Sequence, residues 1–170
     1  MMIQVKVAGL TVDPLTNMPI VILKDLDDRN AVPIWIGIIE ASAIATELEK
    51  IHLARPMTHD LLKNILESLG VRVLRIEVND LRDNTFYASI FLDRGGTTLE
   101  VDSRPSDAIA LALRTGAAIF MSDEVIEKAR KVDLEERERQ AGRPLTAEEK
   151  EKWSEILERM TPEQFGKYKM

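Results

Sequence analysis

The chain has 170 residues, 45% hydrophobic and 31% charged, with a net charge of −6. That balance suits a globular fold rather than a disordered one, and the length fits one domain with or without an appendage. The absence of cysteine excludes disulfides, thiolate metal sites and cysteine nucleophiles, and the acidic balance argues against holding nucleic acid through an overall basic field.

Near the N-terminus Ile3, Val5 and Val7 alternate with Gln4 and Lys6, the period-two pattern of a half-buried strand. The same stretch lacks the basic start and apolar core of a secretory signal. Asp13-Pro14 and Asn17 mark a turn into a second strand over 19–26, with the apolar run Ile20-Val21-Ile22-Leu23. Residues 27–30 then turn the chain into a third strand over 31–36. Gly37 precedes a helix starting near Ile39 or Glu40, on which Ala41, Ile44, Leu48 and Ile51 form the predicted buried stripe. Pro56 ends it. Thr58 is placed to cap a second helix, with Leu62, Ile65, Leu66 and Leu69 as its core face and Gly70 as its stop.

Runs over 71–78 and 85–92 are rich in β-branched and aromatic residues and flank the turn-forming cluster 79–84, so an antiparallel hairpin is expected. Gly95-Gly96 turns into a strand over 97–101, and residues 102–106 lead to a helix over 108–115 ended by Gly116. A short strand over 117–121 follows, then a helix from Ser122 to about Val132. This irregular order predicts an α+β fold: a mixed, largely antiparallel sheet with several helices packed on it. From Asp133 the composition becomes densely charged, which suggests a domain over 1–132 and a charged amphipathic helical tail over 133–170. In the tail, Thr146 and Glu149 form a capping-box pattern ahead of Trp153, Ile156, Leu157 and Met160 on one helical face, and residues 161–164 repeat the start signal. No apolar run approaches the ~20 residues of a membrane span, so a cytoplasmic protein without membrane contact is expected.

Two segments concentrate polar chemistry at helix starts: Arg55-Pro56-Met57-Thr58-His59-Asp60 and Asp102-Ser103-Arg104-Pro105-Ser106-Asp107. A helix start offers unpaired N–H groups that attract anions. Thr58, Ser103 and Ser106 equally suit N-caps, and Asp60 and Asp107 suit the first-turn dipole.

These segments also carry a resemblance. Pro33-Ile34-Trp35-Ile36-Gly37 with Glu40-Ala41, the first hexapeptide with Leu61-Leu62, Asp80-Leu81-Arg82-Asp83-Asn84-Thr85-Phe86-Tyr87-Ala88, and the second hexapeptide continuing through Ala112 occur in one order between Ile3 and Val132. Together they resemble the bifunctional nuclease family, and Phe165-Gly166-Lys167-Tyr168 is similar to the close of bacterial members. The resemblance implies an α+β nuclease acting on DNA and RNA that self-associates as a homodimer or higher homo-oligomer.

Phosphodiester hydrolysis needs an activated water, charge stabilisation at the phosphoryl oxygens and help for the leaving oxygen. Glu40, Asp60, Asp102 and Asp107 are the candidate ligands of a Mg²⁺ or Mn²⁺ ion that could supply these. His59 is the candidate base, since imidazole titrates near neutrality. Arg104 and Ser106 complete the candidate catalytic set, and Arg55, Thr58 and Ser103 are candidate substrate contacts. A metal-free ribonuclease using His59, Arg104 and the RNA 2′-hydroxyl is a variant. His52 is expected to be structural or solvent-facing. The competing reading is a non-catalytic adaptor that binds a ligand in the same polar pocket and a partner through the tail.

Overall fold

The apolar run of the second strand explains the layering, because a strand that is apolar at consecutive positions must be covered on both faces. In the computed structural model, which describes residues 1–14 and 16–159, β1 (Met2–Val12), β2 (Pro19–Asp25) and β3 (Ala31–Trp35) form an antiparallel meander, and every residue of β2 is buried. Val21 and Leu23 join the core that holds Ala41 and Ile44 of α1 (Ile38–Leu48), whereas Ile20 and Ile22 cluster with Ala8 and Leu157. Successive side chains of a strand point to opposite faces, so helices cover both sides of the sheet.

After α2 (Thr58–Ser68), β4 (Val71–Arg82), β5 (Thr85–Arg94) and β6 (Thr97–Ser103) form a second antiparallel meander. α3 (Pro105–Thr115) then crosses to β7 (Ala118–Ser122), which lies between the two meanders, parallel to β4 and antiparallel to β1. The seven-stranded order is β3-β2-β1-β7-β4-β5-β6. The chain is therefore an α+β protein with a mixed, largely antiparallel sheet. α1 and α2 flank α3, which packs on β4, β5 and β7; α4 (Asp123–Ala141) adds Val125, Ile126 and Ala129 to the core that holds α3, and α5 (Ala147–Arg159) covers Ile20 and Ile22 on the other side of β2. Ala108, Ile109, Ala110, Leu111 and Ala112 are essentially inaccessible, the small residues letting α3 approach the sheet closely.

Three elements depart from the sequence expectations. The hairpin turn shrinks to Asp83-Asn84, both left-handed at φ 48° and 58°, as a tight two-residue hairpin requires. Its upstream polar residues are absorbed by the sheet: the Asn79 amide donates to Ser89 Oγ at 2.9 Å, and Asp80 pairs with Arg82 and Lys128. α2 has no buried residue; Leu62, Ile65 and Leu69 are exposed and only Leu66 reaches the core, because α3 already occupies the sheet beneath it. α4 continues past Val132 to Ala141, since no breaker intervenes before Gly142, whose φ of 67° ends the helix. The composition change at residue 133 thus falls within a helix.

The start of α5 follows the sequence. Thr146 Oγ1 accepts from the Glu149 amide at 3.2 Å, and Glu149 Oε2 accepts from the Thr146 amide at 2.9 Å, a reciprocal capping box. Trp153 and Leu157 face the sheet as expected. The Ile156 side chain, Met160 and the motifs at 161–164 and 165–168 lie outside the described residues. Among the described residues no helix is long and apolar enough to cross a membrane.

Candidate active site

The same local pattern starts three helices. Gly37, Met57 and Arg104 are the residues before α1, α2 and α3, and in each case the third helical residue is an acid: Glu40, Asp60 and Asp107. A carboxylate there is favoured by the helix dipole and by the unpaired amides of the first turn. None of the caps uses a side-chain hydroxyl, so Thr58, Ser103 and Ser106 do not cap as their residue types suggested. Asp60 Oδ2 instead accepts from the Met57 amide at 3.0 Å. Glu40 folds back over its own helix start, and a Cβ at position 37 would collide with its carboxylate, so Gly37 makes that fold possible.

Two guanidiniums knit the three acids together. Arg104 donates from Nη1 to Glu40 Oε1 and from Nε to Asp107 Oδ2, each at 2.7 Å. Asp107 Oδ1 lies 2.9 Å from His59 Nε2. Arg114, its side chain only 3% exposed, donates from Nε to Asp60 Oδ1 at 2.7 Å and from Nη1 and Nη2 to the carbonyls of Ala110 and Ala43. Arg114 therefore ties α3 to both α1 and α2, and with them holds the two hexapeptides in register.

Their protonation follows from these contacts. The backbone amide at Glu40 and the Arg104 guanidinium hold the Glu40 carboxyl below its ordinary range. Partial burial works to raise Asp107, but hydrogen bonds from Arg104 and His59 outweigh it and keep the acid ionised. Asp60 is likewise kept low by Met57 and Arg114 against its own desolvation. An ionised carboxylate only accepts hydrogen bonds, so His59 Nε2–H donates to Asp107, and Nδ1 is the ring nitrogen that this contact leaves unused. Arg104 Nη2 makes no hydrogen bond to the described residues, and its side chain is 63% exposed.

His59, Arg104 and Asp107 open onto a cleft of about 460 Å³ whose other walls include Ile38, Ile39, Leu53, Met57 and Thr58. Arg104 and Glu40 also border a smaller depression of about 270 Å³ on their far side, where the buried Ser106 lies with Gly37 and Asn84. Among the predicted site residues, Glu40, Thr58, His59, Asp60, Arg104 and Asp107 thus come together, with Ser106 just behind them.

Three do not join. Asp102 pairs with Ser89 across β5–β6, and Ser89 Oγ also bonds Glu100 two residues away. The neighbouring positions Ala88 and Ile90 belong to the core with α3, so strand alternation turns Asp102 to the opposite side of the sheet from the cleft. Ser103 Oγ is spent on the Arg104 carbonyl at 2.9 Å, and Arg55 is exposed in the α1–α2 connection. No three acids or histidines among the described residues converge as a ready metal cage. Glu40 and Asp107 do share one guanidinium, and the charge of Asp107 acts on Glu40.

Sequence reasoning missed Arg114 and the cleft walls. The signals were a lone arginine ending an otherwise buried alanine-rich helix and the Ile38-Ile39 pair lying off the stripe of α1.

A sequence profile of the bifunctional nuclease domain matches residues 21–135, which contain all of these groups. The chain belongs to the bifunctional nuclease family. An uncharacterized protein of Mycobacterium tuberculosis is 35% identical over 162 residues, covering 95% of this chain and 97% of that one. Two plant members are more distant. Bifunctional nuclease 2 of Oryza sativa is 26% identical over 62% of this chain and 34% of its own length, and bifunctional nuclease 1 of Arabidopsis thaliana is 27% identical over 56% and 31%.

Proposed function

We propose that this bifunctional nuclease family member hydrolyses phosphodiester bonds in DNA, RNA or both at the cleft between the starts of α2 and α3. The observation that carries the reading is the 2.9 Å contact of His59 Nε2 with Asp107 in a group that also holds a partly open guanidinium. Asp107 orients the ring, as a carboxylate does for a histidine base elsewhere. His59 Nδ1 takes a proton from the attacking water as its oxygen bonds to phosphorus; the ester P–O bond breaks and the departing oxygen is protonated from solvent. Arg104 Nη2 binds a phosphoryl oxygen and stabilises the charge that grows there.

Two guanidiniums against three carboxylates leave this cluster with one negative charge when His59 is neutral. A phosphate therefore approaches more favourably with a cation. Mg²⁺ commonly uses one or two carboxylates together with substrate phosphate, and Glu40 and Asp107 are the residues that would hold Mg²⁺ or Mn²⁺, which supplies charge neutralisation at the phosphate. Asp60 is committed to Arg114, and Asp102 is turned away.

The test is incubation of purified protein with single-stranded DNA and with RNA in Mg²⁺, Mn²⁺ or EDTA, beside His59→Ala. Cleavage of at least one substrate that His59→Ala abolishes supports the reading. Binding without cleavage in every condition, or cleavage that His59→Ala leaves intact, overturns it.

A further inference from the structure

A nucleobase stacks best on an aromatic ring that is open to solvent yet held still. Trp35, the last residue of β3, is such a group: it is 38% exposed, while its indole N–H donates to Asp13 Oδ2 at 3.0 Å and fixes the ring. It lines the depression on the far side of Arg104 together with the half-buried Phe86, which packs on the core. Asn84, exposed in the hairpin turn, adds to the same depression an amide that hydrogen-bonds to none of the described residues. Beyond the two rings the surroundings turn acidic, with Asp13, Asp133 and Glu136 around a neighbouring depression that Trp35 and Phe86 also line.

We infer that Trp35 and Phe86 form a base-stacking subsite, which takes the nucleotide next to the phosphate held by Arg104. The inference rests on the reading of Arg104 as the phosphate contact. Its occupant follows from what the depression offers. A guanidinium whose Nη2 is unused among the described residues, two aromatic rings and an open amide match a phosphate, a planar base and a polar base edge. The acids beyond the rings keep phosphates on the Arg104 side, whereas an uncharged base can reach across. With a net charge of −6, the protein gains little from phosphate neutralisation alone, and stacking supplies affinity that tolerates any sequence. A base inside a duplex is already stacked on both faces, so the subsite selects unpaired DNA or RNA.

Fluorescence anisotropy of a labelled short oligothymidylate, measured on His59→Ala in Mg²⁺, reads binding without cleavage. Adding Trp35→Leu is expected to weaken binding about 10-fold or more, and Trp35→Phe to restore most of it. An abasic strand of the same length is expected to bind all three proteins alike. Trp35 also holds Asp13, so far-UV circular dichroism checks the fold of each variant. A second readout avoids that substitution: in Trp153→Phe, Trp35 is the sole indole, and oligothymidylate is expected to quench its emission. No binding of oligothymidylate, undiminished binding by Trp35→Leu, an equal loss on the abasic strand, or unquenched emission each overturns the inference. If the wild type fails to cleave while the binding results hold, hydrolysis falls and the subsite stands. If His59→Ala abolishes cleavage while Trp35→Leu binds normally, the subsite alone falls.

Discussion

Two carboxylate–guanidinium groups lie in separate parts of the molecule, and their environments push the acids in opposite directions. On the α1–α3 side, Asp107 is half-buried at an open cleft, and Arg104 and His59 hold it below its ordinary range. On the α4–α5 side, Asp133 is enclosed beneath Trp153; burial pushes its carboxyl up even though Arg137 and the Trp153 indole both contact it. The Asp133 group bridges two helices where α5 covers the sheet, next to the apolar contact of Leu157 with Ile20 and Ile22. The difference shows that a paired acid does not by itself mark a reactive site. What separates Asp107 is an imidazole with an open nitrogen, a guanidinium with an unused edge and a cleft to admit a substrate.

The largest effect should come from the imidazole. His59→Ala is expected to lower cleavage by about 10²- to 10⁴-fold, the usual contribution of a positioned base, while far-UV circular dichroism stays unchanged. Arg104→Ala should lower it by roughly 10²-fold through lost stabilisation of phosphoryl charge. If Leu157→Ala changed the cleavage rate as much as either, the separation of the two groups would fail.

Stability should divide the other way. Arg114→Met leaves Asp60 and two carbonyls without their donor; Asp60 is partly reached by water, so the loss should be about 1–3 kcal/mol, read from the urea midpoint. Leu157→Ala should cost about 2–3 kcal/mol by opening a cavity under α5, with cleavage retained.

The sheet was legible because β1, β2 and β5 declare themselves through alternation or unbroken apolar runs, and turns at Asp83-Asn84 and Gly95-Gly96 join neighbours. The placement of β7 between the meanders depends on long-range pairing that no local pattern encodes. For the site, the two hexapeptides could be picked out because each gathers acids, hydroxyls and a base or guanidinium at a helix start. Asp102 could not be separated from Asp107 by eye, since only the register of β5 against β6 turns it to the far face. Arg114 was hidden because a basic residue at the end of a helix is ordinarily solvated, whereas here α1 and α2 close over it. The α2 stripe illustrates the limit of periodicity, which reports an apolar face but not what covers it.

A smaller effect concerns acid. Asp60 has a folded value below its ordinary 3.8, so its contribution to stability is fully present above 3.8 and is lost as pH falls through the lower folded value. Urea midpoints of wild type and Asp60→Asn should differ by a constant amount from neutral pH down to about the ordinary 3.8, then converge as pH falls through the lower folded value. A gap that narrows already between neutral pH and pH 5 would contradict the Arg114 pairing.

The most direct test of the central claim, that the starts of α2 and α3 act as one catalytic unit, is a double-mutant cycle on cleavage rate with His59→Ala and Asp107→Asn. Residues that share one imidazole are non-additive; since Asp107 also holds Arg104, Asp107→Asn should still slow His59→Ala, but by a smaller factor than it slows the wild type. Losses that multiply would mean that the two residues act separately and would contradict the account.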